Sequence, residues 1–325
     1  MDTKTQLKEI YRPIMEPLET VRATVNRLWR DALHLVCMPQ VDMPGAGGKL
    51  LRPALSLLSA GVLGERNLDR FARMAAAYEV LHMASLAHDD VVDHSFLRRG
   101  SNSLNALWDN HAAVLGGDYL VARAVEMLCE YGVCDVVAGA VRTVREMAEC
   151  ELAFFGKERD TVREEDCARL AAGKTASLFS AACEAPALVL GSPESEPLRE
   201  YGRDFGVAFQ MVDDILDLTR DPDELGKPAC GDITEGKATI PLLYLRESLP
   251  EEEQKRLDAL AGAPLGAEDI TWVRERLENT GSLERAHAVT QGYVERGKLR
   301  IMRFPESECR RSMIALLDFV YQRNS

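Results

Sequence analysis

The chain has 325 residues, of which 46% are hydrophobic and only 6% are aromatic. Its 39 lysines and arginines and 52 aspartates and glutamates give a formal net charge of -13, which argues against a nucleic-acid partner because phosphates would be repelled over most of the surface. Long Ala/Leu/Val/Met segments separated by short Gly or Pro breaks predict an all-α fold. Because no linker or low-complexity run divides the chain, we expect one domain over residues 1–325.

The cysteines and the absence of targeting segments favour a reducing, cytoplasmic setting. The first residues lack an apolar signal core, and no uninterrupted apolar run approaches the length of about 18 residues that a transmembrane helix needs. The eight cysteines form no CxxC pair and have no histidine partner at zinc spacing. We therefore expect reduced thiols that pack as small hydrophobes, and no transmembrane segment.

An amphipathic first helix is predicted over 7–28, where apolar residues recur every three or four positions. A Gly-rich loop at 45–48 then leads into a second helix. The loop is not a nucleotide-binding P-loop, because no strand precedes it and Leu50 stands where that motif needs Ser or Thr. Lys49 and Arg52 are either ordinary surface charges or, near a helix N-terminus, anion-binding residues.

The first chemical signal is an aspartate cluster, Asp89, Asp90 and Asp93, which ends the apolar run 74–88. Residues three and four apart share one face of a helix, so these carboxylates crowd together. Two carboxylates about 4 Å apart repel by roughly 4 kcal/mol at an effective dielectric of about 20. Oxygen ligands of this kind suit Mg²⁺ or Ca²⁺ rather than zinc. Taken alone, the cluster is also compatible with a solvated acidic helix end.

The helix that leads to this cluster is apolar on nearly every side over 75–87, which predicts a buried position in the middle of a bundle. His82 lies two turns before Asp89. A lone histidine at such a place is either a hydrogen-bonded core residue or a ligand.

Three further helices are predicted, over 103–131, 136–155 and 164–190. In the third, Gly173 is expected to loosen the helix, so that the hydroxyl of Thr175 caps broken backbone hydrogen bonds. Lys174 between them is either a lysine that extends to solvent or a phosphate contact.

A second aspartate cluster, Asp213, Asp214 and Asp217, repeats the spacing of the first and again ends an apolar helical stretch. Two such clusters predict a cage for more than one divalent ion. Mg²⁺ binds a few carboxylates together with substrate phosphates and water, so the implied ligand is a diphosphate. Gln210 lies one turn before this cluster.

After the second cluster, Gly/Pro-rich segments are predicted to place Lys227, Asp232 and Lys237 near the acidic cage. From residue 251 onward we expect amphipathic helices that break at Gly262, Gly281 and Pro305. Their simplest role is packing around the central helices or against a second subunit.

Five segments in one order resemble the trans-type polyprenyl diphosphate synthases, in particular bacterial long-chain members such as octaprenyl diphosphate synthase. They are GGKLLRP at 47–53, HDDVVDHSFLRRG at 88–100, GGDYL at 116–120, GKTASLF at 173–179 and FQMVDDILDLTRDPDELGKPACGDITEGKATIPLLY at 209–244. Several long motifs in the right order are far more specific than any single one. The resemblance implies an antiparallel helical bundle around a deep central cavity, usually as a homodimer.

The resemblance also implies roles for individual residues. Three Mg²⁺ ions would be held around an allylic diphosphate by Asp89, Asp90, Asp93, Asp213, Asp214 and Asp217. The residues that match those gripping this diphosphate are Arg98, Lys174, Gln210, Lys227 and Lys237. The residues that match the pocket for isopentenyl diphosphate are Lys49, Arg52, His82 and Arg99. Thr175 matches the residue that steadies the developing cation, and Lys174, Thr175 and Lys237 are the expected catalytic residues.

Three positions depart from the family pattern. Leu50 replaces a common basic residue, Gly231 stands where an acid is frequent, and Phe154 occupies a place where long-chain members often carry Gln. None of these changes removes a metal ligand, but Phe154 alters the shape expected of the cavity.

Product length is expected to depend on the helix face upstream of the first cluster. Ala84 and Ser85 are small, where short-chain members tend to carry an aromatic residue. Leu81 and Tyr78 lie one and two turns further along, and one turn rises about 5.4 Å, about the length of one isoprene unit. These residues predict growth beyond C20, with Tyr78 as an obstruction. A quinone side chain, passed on to a membrane enzyme, is the expected use of the product.

Alternative functions are a shorter-chain (farnesyl or geranylgeranyl) synthase, a terpene cyclase and a non-catalytic regulatory subunit. A cyclase would not need the second diphosphate pocket that the resemblance assigns to Lys49, Arg52, His82 and Arg99. A subunit without catalysis would be expected to lack one aspartate cluster, and both are intact.

Overall fold

The computed structural model describes residues 3–35, 48–93, 97–98, 101–107, 109–155, 157, 161–221 and 229–322. Its helices are α1 (Thr3–Ile10), α2 (Met15–Leu35), α3 (Leu51–Val62), α4 (Ala72–Val92), α5 (Leu104–Leu107), α6 (Asn110–Cys129), α7 (Cys134–Phe155), α8 (Glu164–Leu170), α9 (Ser177–Val189), α10 (Ser195–Thr219), α11 (Gly231–Thr234), α12 (Ile240–Ser248), α13 (Glu251–Leu260), α14 (Ala267–Asn279), α15 (Ser282–Met302) and α16 (Glu308–Gln322). The predicted all-α class is confirmed.

Shorter elements are also present among the described residues. Arg12–Ile14 and Leu68–Phe71 are 3-10 helices, and Ala171–Ala176 is a π-helix between α8 and α9. Leu97–Arg98 pairs antiparallel with Ser101–Asn102, with Leu97 opposite Asn102. No helix in the described part of the chain is long and apolar enough to cross a membrane.

Two predicted helices are each divided in the structure. The first breaks at the 3-10 turn Arg12–Ile14, because Pro13 has no N–H to donate to an α-helical hydrogen bond. The helix predicted over 103–131 breaks between α5 and α6, where the Asp109 side chain accepts a 2.7 Å hydrogen bond from the N–H of Ala112 and caps α6. The predicted breaks of the C-terminal helices at Gly262, Gly281 and Pro305 are confirmed.

The chain divides into two compact units. Unit 1 comprises Met1–Arg145, Leu178–Gly202 and Gly297–Leu316, and unit 2 comprises Glu146–Ser177, Arg203–Arg296 and Leu317–Ser325. The single domain expected from the sequence stays a prediction.

Unit 1 is built around α4. This helix packs against α2, α3 and α6, and Ala75, Ala76 and Ala77 in its first half have no exposed surface. Small side chains on all sides let neighbouring helices approach closely, so the helix is buried as its sequence predicts. Its C-terminal end carries the first aspartate cluster.

Unit 2 holds two apolar clusters beside the second aspartate cluster. In one, Val207, Met211 and Ile215 of α10 pack with residues that include Ala171 and Ala176 of the π-helix. In the other, Leu218 packs with buried side chains of the segments that follow α10. Apolar residues before, within and after the aspartate-bearing turn of α10 therefore anchor it in the core of unit 2.

Candidate functional site

The first aspartate cluster lies where α4 ends. Asp89 and Asp90 belong to its last turn, and the N–H of Asp93 donates to the Asp89 carbonyl at 2.8 Å. Asp90 is only 3% exposed, whereas Asp93 is exposed. The Asn105 side-chain amide donates to the Asp90 carbonyl at 3.0 Å and ties the following segment to this helix end.

A close approach between α4 and α6 fixes the same helix end. Nε2 of His88 lies 3.1 Å from the Val114 carbonyl oxygen and 3.4 Å from Oδ1 of Asp118. A Cβ added to Gly117 would stand 2.2 Å from that Nε2 atom. Glycine is therefore required under the ring, which gives a physical reason for the second glycine of the GGDYL segment.

Gly117→Ala is expected to displace the His88 ring from the Val114 carbonyl and to disturb the adjoining aspartates. Overpacking of this kind typically costs about 1–3 kcal/mol, so we expect Tm to fall by several degrees and kcat to fall about tenfold. Gly116→Ala is the matched control, because its Cβ would meet nothing within 4 Å and alanine is the better helix former. Thermal unfolding and steady-state kinetics test both variants, and equal behaviour would show that the His88 contact is unimportant.

In the second cluster, Asp217 is held by the backbone that follows α10. It is 1% exposed, and its Oδ2 accepts a 2.9 Å hydrogen bond from the N–H of Asp232. Its carbonyl accepts a second 2.9 Å bond from the N–H of Cys230, which adopts a left-handed φ of 56°. A Cβ at Gly231 would lie 3.3 Å from Oδ1 of Asp217, so the glycine at this departure from the family pattern leaves room beside the carboxylate. The predicted approach of Asp232 to the acidic cluster is confirmed.

Asp214 shows how crowded the negative charge is. Burial raises the pKa of this carboxyl well above its ordinary value, and the charge of Asp232 raises the pKa further. Asp213 and Asp217 act in the same direction, while the hydrogen bond from Gln210 opposes them. Such a cluster is stabilised in its ionised form by a divalent cation, and its all-oxygen donor set fits Mg²⁺.

Three predicted residues form one hydrogen-bonded chain. Thr175, which is 8% exposed, donates from Oγ1 to Oε1 of Gln210 at 2.6 Å, and Nε2 of Gln210 donates to Oδ1 of Asp214 at 2.8 Å. The Thr175 hydroxyl therefore does not cap the loosened helix as predicted. Ser177 does so instead, because its hydroxyl donates to the Gly173 carbonyl at 2.5 Å. The expected loosening around Gly173 is present as the π-helix.

Two candidate lysines of unit 2, Lys174 and Lys237, are paired with carboxylates. Nζ of Lys174 contacts Glu151 on α7, and Nζ of Lys237 contacts Glu235. The backbone N–H of Lys237 also donates to the Asp232 carbonyl at 2.8 Å, and its role at the site stays a prediction. No motif spacing links Glu151 to Lys174, so no local sequence pattern marks this glutamate.

The candidate residues for the second diphosphate lie in unit 1. The Lys49 carbonyl accepts a 2.7 Å hydrogen bond from the Tyr11 hydroxyl. The Arg52 guanidinium stacks over the Phe179 ring, 4.4 Å from its centre. Leu50 between them is 2% exposed and has a left-handed φ of 51°, so this departure from the family pattern is a buried residue that caps α3.

The residues predicted to control product length lie on a buried face of α4. Tyr78, Leu81 and Ala84 are exposed by 1%, 3% and 0%, respectively. Ser85 is partly buried, and its hydroxyl donates to the carbonyl of His82 at 2.8 Å. The small side chains of Ala84 and Ser85 thus belong to a helix that neighbouring helices enclose.

Arg99 and Lys227 lie outside the described residues, and of Arg98 only the backbone is described. Among the described side chains, no three carboxylates, histidines or cysteines converge as a preformed metal site. That arrangement is compatible with Mg²⁺, which keeps waters and substrate phosphates in its coordination shell and needs only one or two protein carboxylates.

Comparison with known proteins extends these observations. A family model described as polyprenyl synthetase matches residues 37–277. The chain is 35% identical over 318 residues to the all-trans-nonaprenyl-diphosphate synthase (geranyl-diphosphate specific) of Rhodobacter capsulatus, covering 97% of this chain and 98% of that one. It is 38% identical over 310 residues to a short chain isoprenyl diphosphate synthase of Methanothermobacter thermautotrophicus, covering 92% and 91%.

A solved structure resembles that of this chain over nearly its whole length. It is the polyprenyl synthase from Caulobacter crescentus, complexed with calcium and isoprenyl diphosphate, with a TM-score of 0.88 and 34% identity, covering 98% of each chain. The neighbour thus holds a divalent cation and a diphosphate of the chemical classes that the two aspartate clusters predict.

Proposed function

Because the chain belongs to the polyprenyl synthetase family, we propose that it condenses isopentenyl diphosphate with an allylic diphosphate and makes an all-trans product beyond C20. Membership of the family establishes the general activity: the protein is a trans-prenyl diphosphate synthase, a prenyltransferase. The observation that best supports the proposed mechanism is the second aspartate cluster, with the raised pKa of Asp214 and its hydrogen-bonded chain through Gln210 to Thr175.

The proposed metal ligands are the six aspartates of the two clusters, Asp89, Asp90, Asp93, Asp213, Asp214 and Asp217, which together would hold three Mg²⁺ ions. When bound, magnesium neutralises negative charge on the leaving diphosphate. Lys174 and Lys237 add positive charge to the same group, so both stabilise charge that develops as the bond breaks. Arg98, Gln210 and Lys227 complete the proposed allylic diphosphate contacts.

The proposed reaction begins when the allylic C–O bond breaks and the electron pair leaves with the diphosphate. The remaining allylic cation lies beside the hydroxyl of Thr175, whose position is fixed by Gln210. The double bond of isopentenyl diphosphate, held by Lys49, Arg52, His82 and Arg99, attacks this cation. A proton is then lost to the released diphosphate, and the product is one isoprene unit longer. Apolar walls exclude the water that would quench the cation.

The proposed product length depends on α4. Ala84 and Ser85 are small residues about one turn before the first cluster, and the fully buried Tyr78 is the proposed obstruction two turns away. The relatives are named for products from short chains to nonaprenyl, so their names do not decide the length. Use of the product as a quinone side chain, its transfer to a membrane enzyme and a cytoplasmic location remain proposals.

A homodimer is part of the proposal. It is supported by apolar side chains exposed on α6 and α7, including Val114, Leu115 and Val141 at 39%, 54% and 53%. A groove of about 650 Å³, lined mainly by small and apolar residues between 129 and 145, lies on the same two helices. Surfaces of this kind are typical of regions covered by a partner.

The experiment that tests the function is a mass analysis of products. The protein is incubated with Mg²⁺, labelled isopentenyl diphosphate and, in separate reactions, dimethylallyl, geranyl or farnesyl diphosphate. We expect labelled linear products beyond C20 and no turnover when Mg²⁺ is chelated. Products that end at C15 or C20 would identify a shorter-chain synthase, and unlabelled cyclic products formed without isopentenyl diphosphate would identify a cyclase.

A further inference from the structure

We propose that Glu151 is a positioning residue for Lys174, which holds the lysine ammonium in the substrate-free enzyme and competes with the allylic diphosphate for it. The inference rests on the proposed function, in which Lys174 grips that diphosphate. It adds a residue outside the five segments that carry the resemblance, and it predicts that removing a negative charge tightens substrate binding.

The first observation is the ion pair itself. Nζ of Lys174 contacts Oε1 of Glu151, with side chains exposed by 28% and 37%. Both partners are therefore open enough to exchange a neighbouring carboxylate for an incoming phosphate, and buried enough to be held in a defined position. In the substrate-free enzyme the Lys174 ammonium is thus already paired with the Glu151 carboxylate.

The second observation is the packing that brings the pair together. A Cβ at Gly173 would lie 2.8 Å from both Cβ and Sγ of Cys150, and 3.3 Å from the carbonyl oxygen of Glu146. The π-helix therefore rests directly on α7 at the residue before Lys174, and the contact on α7 is the residue before Glu151. The ion pair is set by this backbone approach and not only by long side chains.

The third observation is that the other side of the π-helix is fixed by α10. Thr175 is hydrogen-bonded to Gln210, which in turn bonds Asp214. Lys174 lies between two anchored residues, Gly173 and Thr175, which hold its backbone between α7 and α10. In this arrangement Glu151 holds the Lys174 ammonium in the substrate-free enzyme.

The sign of the effect follows from electrostatics. A diphosphate that binds Lys174 must replace the Glu151 carboxylate and then lie near its negative charge. Neutralising Glu151 removes both costs, so affinity for diphosphate should rise. Partly exposed ion pairs contribute modestly, which sets the expected gain at about two- to fivefold.

The test compares Glu151→Gln with the parent enzyme by titration calorimetry of inorganic diphosphate at a fixed Mg²⁺ concentration. We expect Kd for diphosphate to fall about two- to fivefold, KM for the allylic substrate to fall by a similar factor, and KM for isopentenyl diphosphate to stay the same. Glu149→Gln is the matched control, because it removes the same charge from an exposed position of α7 about 200° around the helix. Its Kd should equal that of the parent.

A Lys174→Gln variant separates this inference from the proposed function. If Lys174→Gln weakens diphosphate binding and Glu151→Gln has no effect in that background, the competition is supported. If Lys174→Gln weakens binding but Glu151→Gln alone leaves Kd unchanged or raises it, this inference is overturned while the proposed role of Lys174 stands. If Lys174→Gln leaves Kd unchanged, both are overturned. Glu151→Gln tightening binding equally with and without Lys174 would also contradict the positioning role.

Discussion

Asp214→Asn is expected to lower kcat by roughly 10³-fold while making the metal-free protein slightly more stable. The loss of activity follows from the proposed role of Asp214 as a charged metal ligand in an electrostatically catalysed reaction. The gain in stability follows from crowding, because burial and the charge of Asp232 raise the pKa of Asp214. An ionised Asp214 without a cation therefore opposes folding, and the asparagine removes that charge but keeps an oxygen for Gln210.

The pH dependence of folding stability gives the sign of the Asp214 contribution. The folded-state pKa of Asp214 is raised, so its contribution to stability is fully present below the unfolded value of about 3.9 and is lost as pH rises through the folded value. At neutral pH the metal-free Asp214→Asn protein should melt roughly 2 °C higher than the parent. The parent should gain stability from Mg²⁺ with diphosphate, and the variant should gain much less.

Asp204→Asn on the same helix is the matched control. Asp204 is 4% exposed and pairs with Arg296 at 3.2 Å, so its charge is compensated within the protein. Neutralising it should destabilise the protein by about 1–2 kcal/mol, opposite in sign to Asp214→Asn, with little change in kcat. Differential scanning calorimetry with and without Mg²⁺ measures both variants. If Asp214→Asn also lowered the metal-free Tm, the crowding argument would be wrong.

The second large effect is expected on product length. Ala84→Phe places an aromatic ring on the α4 face that leads to the first aspartate cluster, and we expect its main product to end at or below C20. Because Ala84 has no exposed surface, the ring also costs about 1–3 kcal/mol in packing. Ala84→Ser keeps the side chain small and should leave the product unchanged. A folded Ala84→Phe enzyme with parental products would place the growing chain along another face.

Tyr78→Ala should have the opposite effect and lengthen the product. Tyr78 is fully buried, with Cys183 and Glu184 of α9 among its neighbours, so truncation also leaves a cavity and costs about 3–5 kcal/mol. Tyr78→Phe keeps the ring and serves as the control, since it should retain the parental length. Mass spectra of extracted products, taken below the melting temperature of each variant, decide between these outcomes.

Periodicity and spacing predict those parts of the molecule that depend on local sequence. The buried α4 follows from its alanine-rich, all-round apolar pattern, and both aspartate clusters follow from their spacing. Helix breaks were missed at Pro13 and Asp109, where a missing donor and a side-chain cap outweigh the apolar pattern. The effect of a single proline or of one capping side chain is easily overlooked within a long run of periodic apolar residues.

Side-chain partners that join distant segments could not be predicted in the same way. The hydrogen bond from Thr175 to Gln210 spans 35 residues, and nothing in either local pattern marks the other. Glu151 meets Lys174 because Gly173 lets the π-helix approach Cys150. Such contacts depend on how closely two helices pack, which is a property of the tertiary structure. Sequence patterns therefore indicated candidate site residues but not how their side chains contact one another.

The π-helix Ala171–Ala176 has a consequence for how this segment tolerates insertions and deletions. A π-turn contains one residue more than the α-helical turn it replaces, and each residue turns an α-helix by about 100°. Deleting one residue there would restore a regular helix, but everything before the deletion would rotate against everything after it. Lys174 could then no longer contact α7 while Thr175 contacts α10. The number of residues in this stretch therefore matters more for these contacts than the identity of most of them.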